Sequence, residues 1–173
     1  VNAGAADKVQ RYIANCNAMG IEVMPPDVNA SRTDFTPNGD RILFGLSAVR
    51  NLGDGAIRQL IAARESDGPF RSLADICDRI PSSVLNRRGL ESLIHCGALD
   101  AMDPAANRAQ LMADLDLLLD WASSRAKDRD SGQGNLFDLM ASAEQTDGPT
   151  DLSLAPKAAP VPDYPPAEKL RLE

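Results

Sequence analysis

Aromatic residues are scarce in this chain: four Phe, two Tyr and one Trp, 4% of the residues. With 43% hydrophobic residues among 173, small aliphatic side chains must build one modest core or two small ones. Histidine occurs once, at His95, and cysteine three times, at Cys16, Cys77 and Cys96. The cysteines match no metal-ligand spacing, and an odd count argues against a disulfide framework. They read as buried free thiols of a reducing compartment. No stretch is long and apolar enough to span a membrane and no signal peptide is visible, which points to the cytoplasm. His95 lies on an apolar helix face and reads as a satisfied core or surface residue. No carboxylate set suggests a two-metal catalytic site. The chain begins at Val1 without Met and stops at Glu173 inside a charged, helix-like run, so it reads as a piece of a longer protein.

The net charge of −7 is unevenly placed. Residues 41–90 carry eight Arg (41, 50, 58, 64, 71, 79, 87, 88) against five acids (54, 65, 67, 75, 78), a balance of +3. Residues 101–173 carry thirteen acids against seven bases, a balance of −6. The acidity belongs to the tail, and the global charge does not exclude a nucleic-acid partner for the middle of the chain.

That middle holds the most informative run, Leu46 to Arg64. Apolar residues recur at Leu46, Val49 and Leu52, then at Ile57, Leu60 and Ile61, one stripe for each of two short helices. Gly53, Asp54 and Gly55 form the turn between them, and the glycines are expected to take φ > 0. Such a turn can expose successive N–H groups at the start of the second helix, a nest that suits a phosphate oxygen. Arg50 and Arg58 flank it. This is the pattern of a helix-hairpin-helix that holds a nucleic-acid backbone without reading sequence. The same spacing also fits an ordinary pair of helices joined by a glycine turn.

Around this run, residues 6–19 read as a helix with Val9, Ile13, Cys16 and Met19 on one face and Gly20 ending it. Ile21 to Met24 is short and extended, stopped by Pro25-Pro26. Asp34–Thr36 and Arg41–Phe44 flank a turn at 37–40 and predict a β-hairpin. Leu73 to Arg79 reads as a helix ended by Pro81, and Val84 to Cys96 as another, closed by Gly97. Residues 70–97 thus repeat the helix–turn–helix shape, with Arg87 and Arg88 as candidate backbone contacts. Asp103-Pro104 opens a long amphipathic helix through Leu111, Met112, Leu115, Leu118, Leu119 and Ala122.

Beyond about Ser123 the composition becomes that of a linker, with six of the twelve prolines in 141–166. Gln133, Leu136 and Phe137 stand out there as anchors on a polar, glycine-flanked strip. They read as a short linear motif for an apolar groove on a partner, or as residues that fold back onto this chain's own helices.

In this order the segments resemble the alpha subunits of bacterial DNA polymerase III, the C-family replicative polymerases. The matching stretches are Tyr12-Ile, Met19-Gly-Ile, Pro25-Pro-Asp-Val-Asn, Ile42 through Gly53, Pro69 through Asp75, Asn86-Arg-Arg, Leu93-Ile and Cys96 through Asp100. Gln133 through Phe137 falls where that family carries an internal motif for the sliding clamp, and Pro165 to Glu173 is similar to the lead into its C-terminal domains. Asp7-Lys-Val-Gln and Ser124 through Arg129 look most like cyanobacterial members. The resemblance covers essentially the whole chain and implies the distal fingers plus the clamp-binding region, with the palm, its metal-binding aspartates and Mg lying elsewhere. In two places the chain departs from the family pattern. Asn51 stands where many such turns have their first glycine, a position Asn tolerates in the left-handed region. Gly134-Asn135 is a softer centre than the usual clamp motif.

The expected architecture is mainly α: a helix and β-hairpin lead-in over 1–44, a helix-hairpin-helix domain over 45–122, a flexible linker over 123–163 and the start of another segment at 164–173. The implied partners are primer-template duplex DNA, the sliding clamp and the rest of the polymerase holoenzyme. The fragment is expected to have no cofactor, catalytic residue or membrane contact of its own. Alternatives are a stand-alone repair or recombination protein and a protein-interaction scaffold without DNA binding.

Overall fold

A computed structural model describes residues 3–102, 107–130 and 152–172. The chain opens with α1 (Ala3–Ala18), turns at Gly20 and enters β1 (Glu22–Met24). β2 (Thr36–Asn38) and β3 (Arg41–Leu43) form the expected antiparallel hairpin, with Thr36 opposite Leu43 and Asn38 opposite Arg41. The turn is tighter than the sequence indicates, because Pro37 and Asn38 already belong to β2. An edge strand tolerates proline's missing donor. β1 joins on the other side, parallel to β3, giving the order β1-β3-β2. Met19, expected on one helix face with Val9, Ile13 and Cys16, lies just past the end of α1 and is largely exposed.

The helical body follows: a 3₁₀ turn at Leu46–Ala48, then α2 (Asp54–Asp67), α3 (Leu73–Arg79), α4 (Arg87–His95), α5 (Arg108–Asp130) and α6 (Pro166–Leu172). Caps explain where these helices start. Ser72 Oγ accepts from the Asp75 amide at 3.1 Å and caps α3, while the Asp75 carboxylate accepts from the amide of Arg71, just before the cap, at 3.0 Å. Asn86 Oδ1 accepts from Gly89 at 3.0 Å, so α4 begins at Arg87, later than the apolar pattern from Val84 predicts. The Val84 and Leu85 amides instead turn back to the Pro81 carbonyl. Asn107 Oδ1 takes the Gln110 amide at 2.6 Å and opens α5; the expected cap pair Asp103-Pro104 lies outside the described residues.

Leu111, Leu115, Leu118 and Ala122 give α5 the buried stripe that its sequence predicts, and this stripe packs on α3 and α4. Phe70, Leu60, Ile76 and Leu93 fill the space between, each at most 2% exposed. Arginines secure the edges. Arg64 donates to the Val28 and Ser31 carbonyls at 2.6 Å each. Arg79 lies 4.4 Å over the Phe70 ring and donates to the Ala63 and Gly68 carbonyls. Arg108 grips Asp100 at 2.8 Å and the His95 carbonyl at 2.8 Å.

The linker expected over 123–163 is corrected at both of its described ends. α5 continues through Asp130, and its Arg125 and Arg129 each reach the buried carboxylate of Asp78 at 3.1 Å. After a 3₁₀ turn at Leu152–Leu154, Leu152 and Ala155 pack on the core and the chain lies along α5. The Ala158 amide donates to Asp114 at 2.7 Å and the Val161 amide to Gln110 at 2.8 Å, while Asn107 donates to the Val161 carbonyl at 3.0 Å. Polar side chains hold backbone here, an attachment that needs few apolar anchors and so escapes a reading of composition.

Asp114→Ala should therefore destabilise the fold by about 1.5–3 kcal/mol, the value of a buried bond to a charged acceptor. Thermal melting measures the loss, and the Ala158 amide should exchange with solvent faster. Unchanged melting and exchange would contradict a strap held by this carboxylate.

Candidate nucleic-acid interface

The turn between the 3₁₀ segment and α2 is built differently from its sequence expectation. The Val49 amide closes the 3₁₀ turn on Leu46 at 3.1 Å, so the first helix of the hairpin is a single tight turn. The left-handed residue is Asn51, at φ 59°. Neither Gly53 nor Gly55 adopts positive φ: Gly53 is extended (φ −80°, ψ 158°) and caps α2, and Gly55 is helical. Asn supplies the handedness because its short polar side chain tolerates that region.

What the glycines leave is space. A Cβ at either Gly53 or Gly55 would meet nothing within 4 Å. No side chain caps Gly53, and the first helical bond runs from the Ile57 amide to the Gly53 carbonyl at 3.1 Å. The amides ahead of Ile57 therefore lie at an open helix N-terminus with its partial positive charge. Ala56, Ile57 and Leu60 are buried and fix the helix, while Asp54, Gly55 and Arg58 are exposed. Asp54 complements the dipole of its own helix.

Arg50, Arg58 and Arg88 are exposed and form no ion pair among the described residues. Arg87 is engaged: its Nε donates to Asp116 at 2.7 Å and its Nη1 to Glu91. Those bonds raise the Arg87 pKa and hold the Asp116 carboxyl below its usual range. α4 is brought to the turn by Asn51 Nδ2, which donates to Ser92 Oγ at 3.0 Å. Ser92 Oγ donates in turn to the Arg88 carbonyl at 2.9 Å. Sequence reasoning missed Ser92, whose pairing across the fold has no local signature.

The +3 balance of residues 41–90 overstates the basic surface. Arg64 and Arg79 are spent on internal carbonyls, and Arg41 pairs with Glu22 at 2.9 Å. Among the described residues, no three His, Cys, Asp or Glu gather as a metal site. Burial pushes the Cys77 thiol up to about 12 and the Cys96 thiol up to about 11, which keeps both protonated and unreactive at neutral pH. Cys16, Cys77 and Cys96 are free, and none is paired. The expected linear-motif residues Gln133, Leu136 and Phe137 lie outside the described residues.

Comparison with known proteins agrees with this geometry. Residues 20–111 match the family described as Helix-hairpin-helix motif. The chain is 49% identical over 140 residues to the DNA polymerase III subunit alpha of Thermus aquaticus, covering 81% of this chain and 11% of that protein. It is 38% identical over 152 residues to the subunit of the same name from Deinococcus radiodurans, covering 87% and 11%. Against that of Escherichia coli K12 it is 39% identical over 136 residues, covering 78% and 12%. The chain thus spans about a tenth of the length of these relatives.

Gly55→Ala separates the two roles a glycine could have here. Because Gly55 is helical and unobstructed, Ala should leave stability unchanged or raise it by up to about 1 kcal/mol. Duplex affinity should fall, because the methyl stands where a phosphate would approach. A fall in stability, or unchanged affinity, would contradict the open-surface reading.

Proposed function

Because this chain belongs to the helix-hairpin-helix family and is a homologue of a segment of DNA polymerase III subunit alpha, we propose that it is the part of a replicative polymerase that holds duplex DNA by its backbone. The observation that carries this reading is the N-terminus of α2 at Gly53, which among the described residues has no side-chain cap and is flanked by exposed Arg50 and Arg58 without an ion pair. Amides of Asp54, Gly55 and Ala56 would donate to a phosphate oxygen, and the two guanidiniums would add charge without reading bases. Arg88 would reach the same backbone from α4. Arg87 would contribute less than its neighbour, because its guanidinium already holds two carboxylates.

Polymerisation belongs, on this reading, to residues beyond this chain. The fragment alone should then be catalytically silent. Among the described residues no helix is long and apolar enough to cross a membrane. Gln133, Leu136 and Phe137 would tether the polymerase to the sliding clamp, with the two apolar side chains in a pocket and Gln133 at its rim. Tethering raises the local concentration of the polymerase at the primer end without adding a catalytic group.

Arg58→Ala should weaken binding to all duplexes alike and make the slope of log affinity against log salt shallower by about one charge. Changed sequence preference with an unchanged slope would overturn the backbone reading. For the tether, replacing Leu136 and Phe137 together by Ala should cost roughly 2–4 kcal/mol of clamp affinity. Calorimetry with the clamp measures this, and duplex binding should be untouched. Unchanged clamp affinity would assign those residues to this chain's own packing.

A further inference from the structure

The hairpin turn is held from outside itself. Asn51 sits at φ 59°, and no backbone ladder pairs it with a neighbour; its side chain instead reaches Ser92 on α4 at 3.0 Å. Ser92 passes the bond on to the Arg88 carbonyl at 2.9 Å. Beneath the turn lies Gly89, where an added Cβ would stand 3.4 Å from the Asn51 carbonyl oxygen and 3.0 Å from Leu85 Cδ1. The turn thus rests on a surface with no side chain, and a two-step hydrogen-bond chain fixes its distance from the first turn of α4. Arg50, next to Asn51, and Arg88, whose carbonyl ends the chain, are both exposed cations.

We infer that Asn51 and Ser92 are positioning residues for duplex binding: their bond sets the α2 N-terminus and Arg50 in fixed register with Arg88, so that both grip one stretch of phosphate backbone. This rests on the duplex-holding function proposed above and adds residues that touch no DNA themselves. The Asn51–Ser92 bond is solvent-exposed, so it contributes little to folding, and its strength is better read in the geometry it imposes. A turn free to shift against α4 would have to be ordered anew at each binding event, at an entropic cost.

The test uses the 173-residue chain and labelled duplexes of unrelated sequence, with Ser92→Ala, Asn51→Gly, the double variant and Ser92→Thr. Asn51→Gly keeps the left-handed backbone while removing the side-chain bond, and Ser92→Ala removes the same bond without touching the turn's backbone. Each single variant should lose roughly five-fold in affinity, the size of one hydrogen bond. The double should lose no more than either single, Ser92→Thr should restore binding, and melting temperatures should stay near wild type. Ser92→Ala at wild-type affinity, or a double variant whose loss is the product of the singles, would overturn the inference. So would affinity losses that track losses in melting temperature, since they would assign the bond to folding. Arg58→Ala is the control. If it weakens binding while Ser92→Ala does not, only the positioning role fails. If it too binds like wild type, the duplex-holding function fails.

Discussion

An α-helix begins with amide donors that its own ladder cannot satisfy, and in α2 the chain leaves them without a capping side chain. Where α3, α4 and α5 each start with a capping Ser or Asn, α2 starts with Gly53. Most of the helical body can be understood as what keeps that open end in place. Ile57 and Leu60 bury the helix against the core, Arg64 ties its far end to carbonyls after β1, and Arg79 joins its C-terminus to α3 through Phe70. α5 closes the other side of α3 and α4.

Arginine does two jobs in this fold, and its environment separates them. Arg64, Arg79 and Arg108 are partly or fully buried and hold carbonyls or carboxylates, as a planar fork of donors suits. Arg50, Arg58 and Arg88 remain in solvent around the open helix end. An acidic chain can therefore present a local cationic surface, since much of its negative charge sits after residue 100.

Strongly periodic segments were legible in the sequence. The stripe of α5, the short α3, the β2–β3 hairpin and the capacity of Asn51 for a left-handed conformation all follow from local residue types. Non-local pairing was not legible. The parallel attachment of β1 to β3, the Asn51–Ser92 bond and the strap held by Asp114 and Gln110 join residues far apart, and no local pattern announces them. The hairpin turn shows the limit most clearly. Gly53 and Gly55 carry the motif in the sequence, yet their contribution is an open surface, and the unusual dihedral belongs to Asn51. Spacing placed the turn but assigned its left-handed conformation to the wrong residues.

The proposed phosphate capture at the N-terminus of α2 makes a prediction at single atoms. Backbone amide resonances of Asp54, Gly55 and Ala56, followed by NMR as duplex DNA is added, should shift together and by the same pattern for duplexes of unrelated sequence. The shifts should fade as salt rises, because displaced counterions then compete. Amides of α2 that stay put while shifts appear elsewhere, or a pattern that changes with DNA sequence, would contradict it.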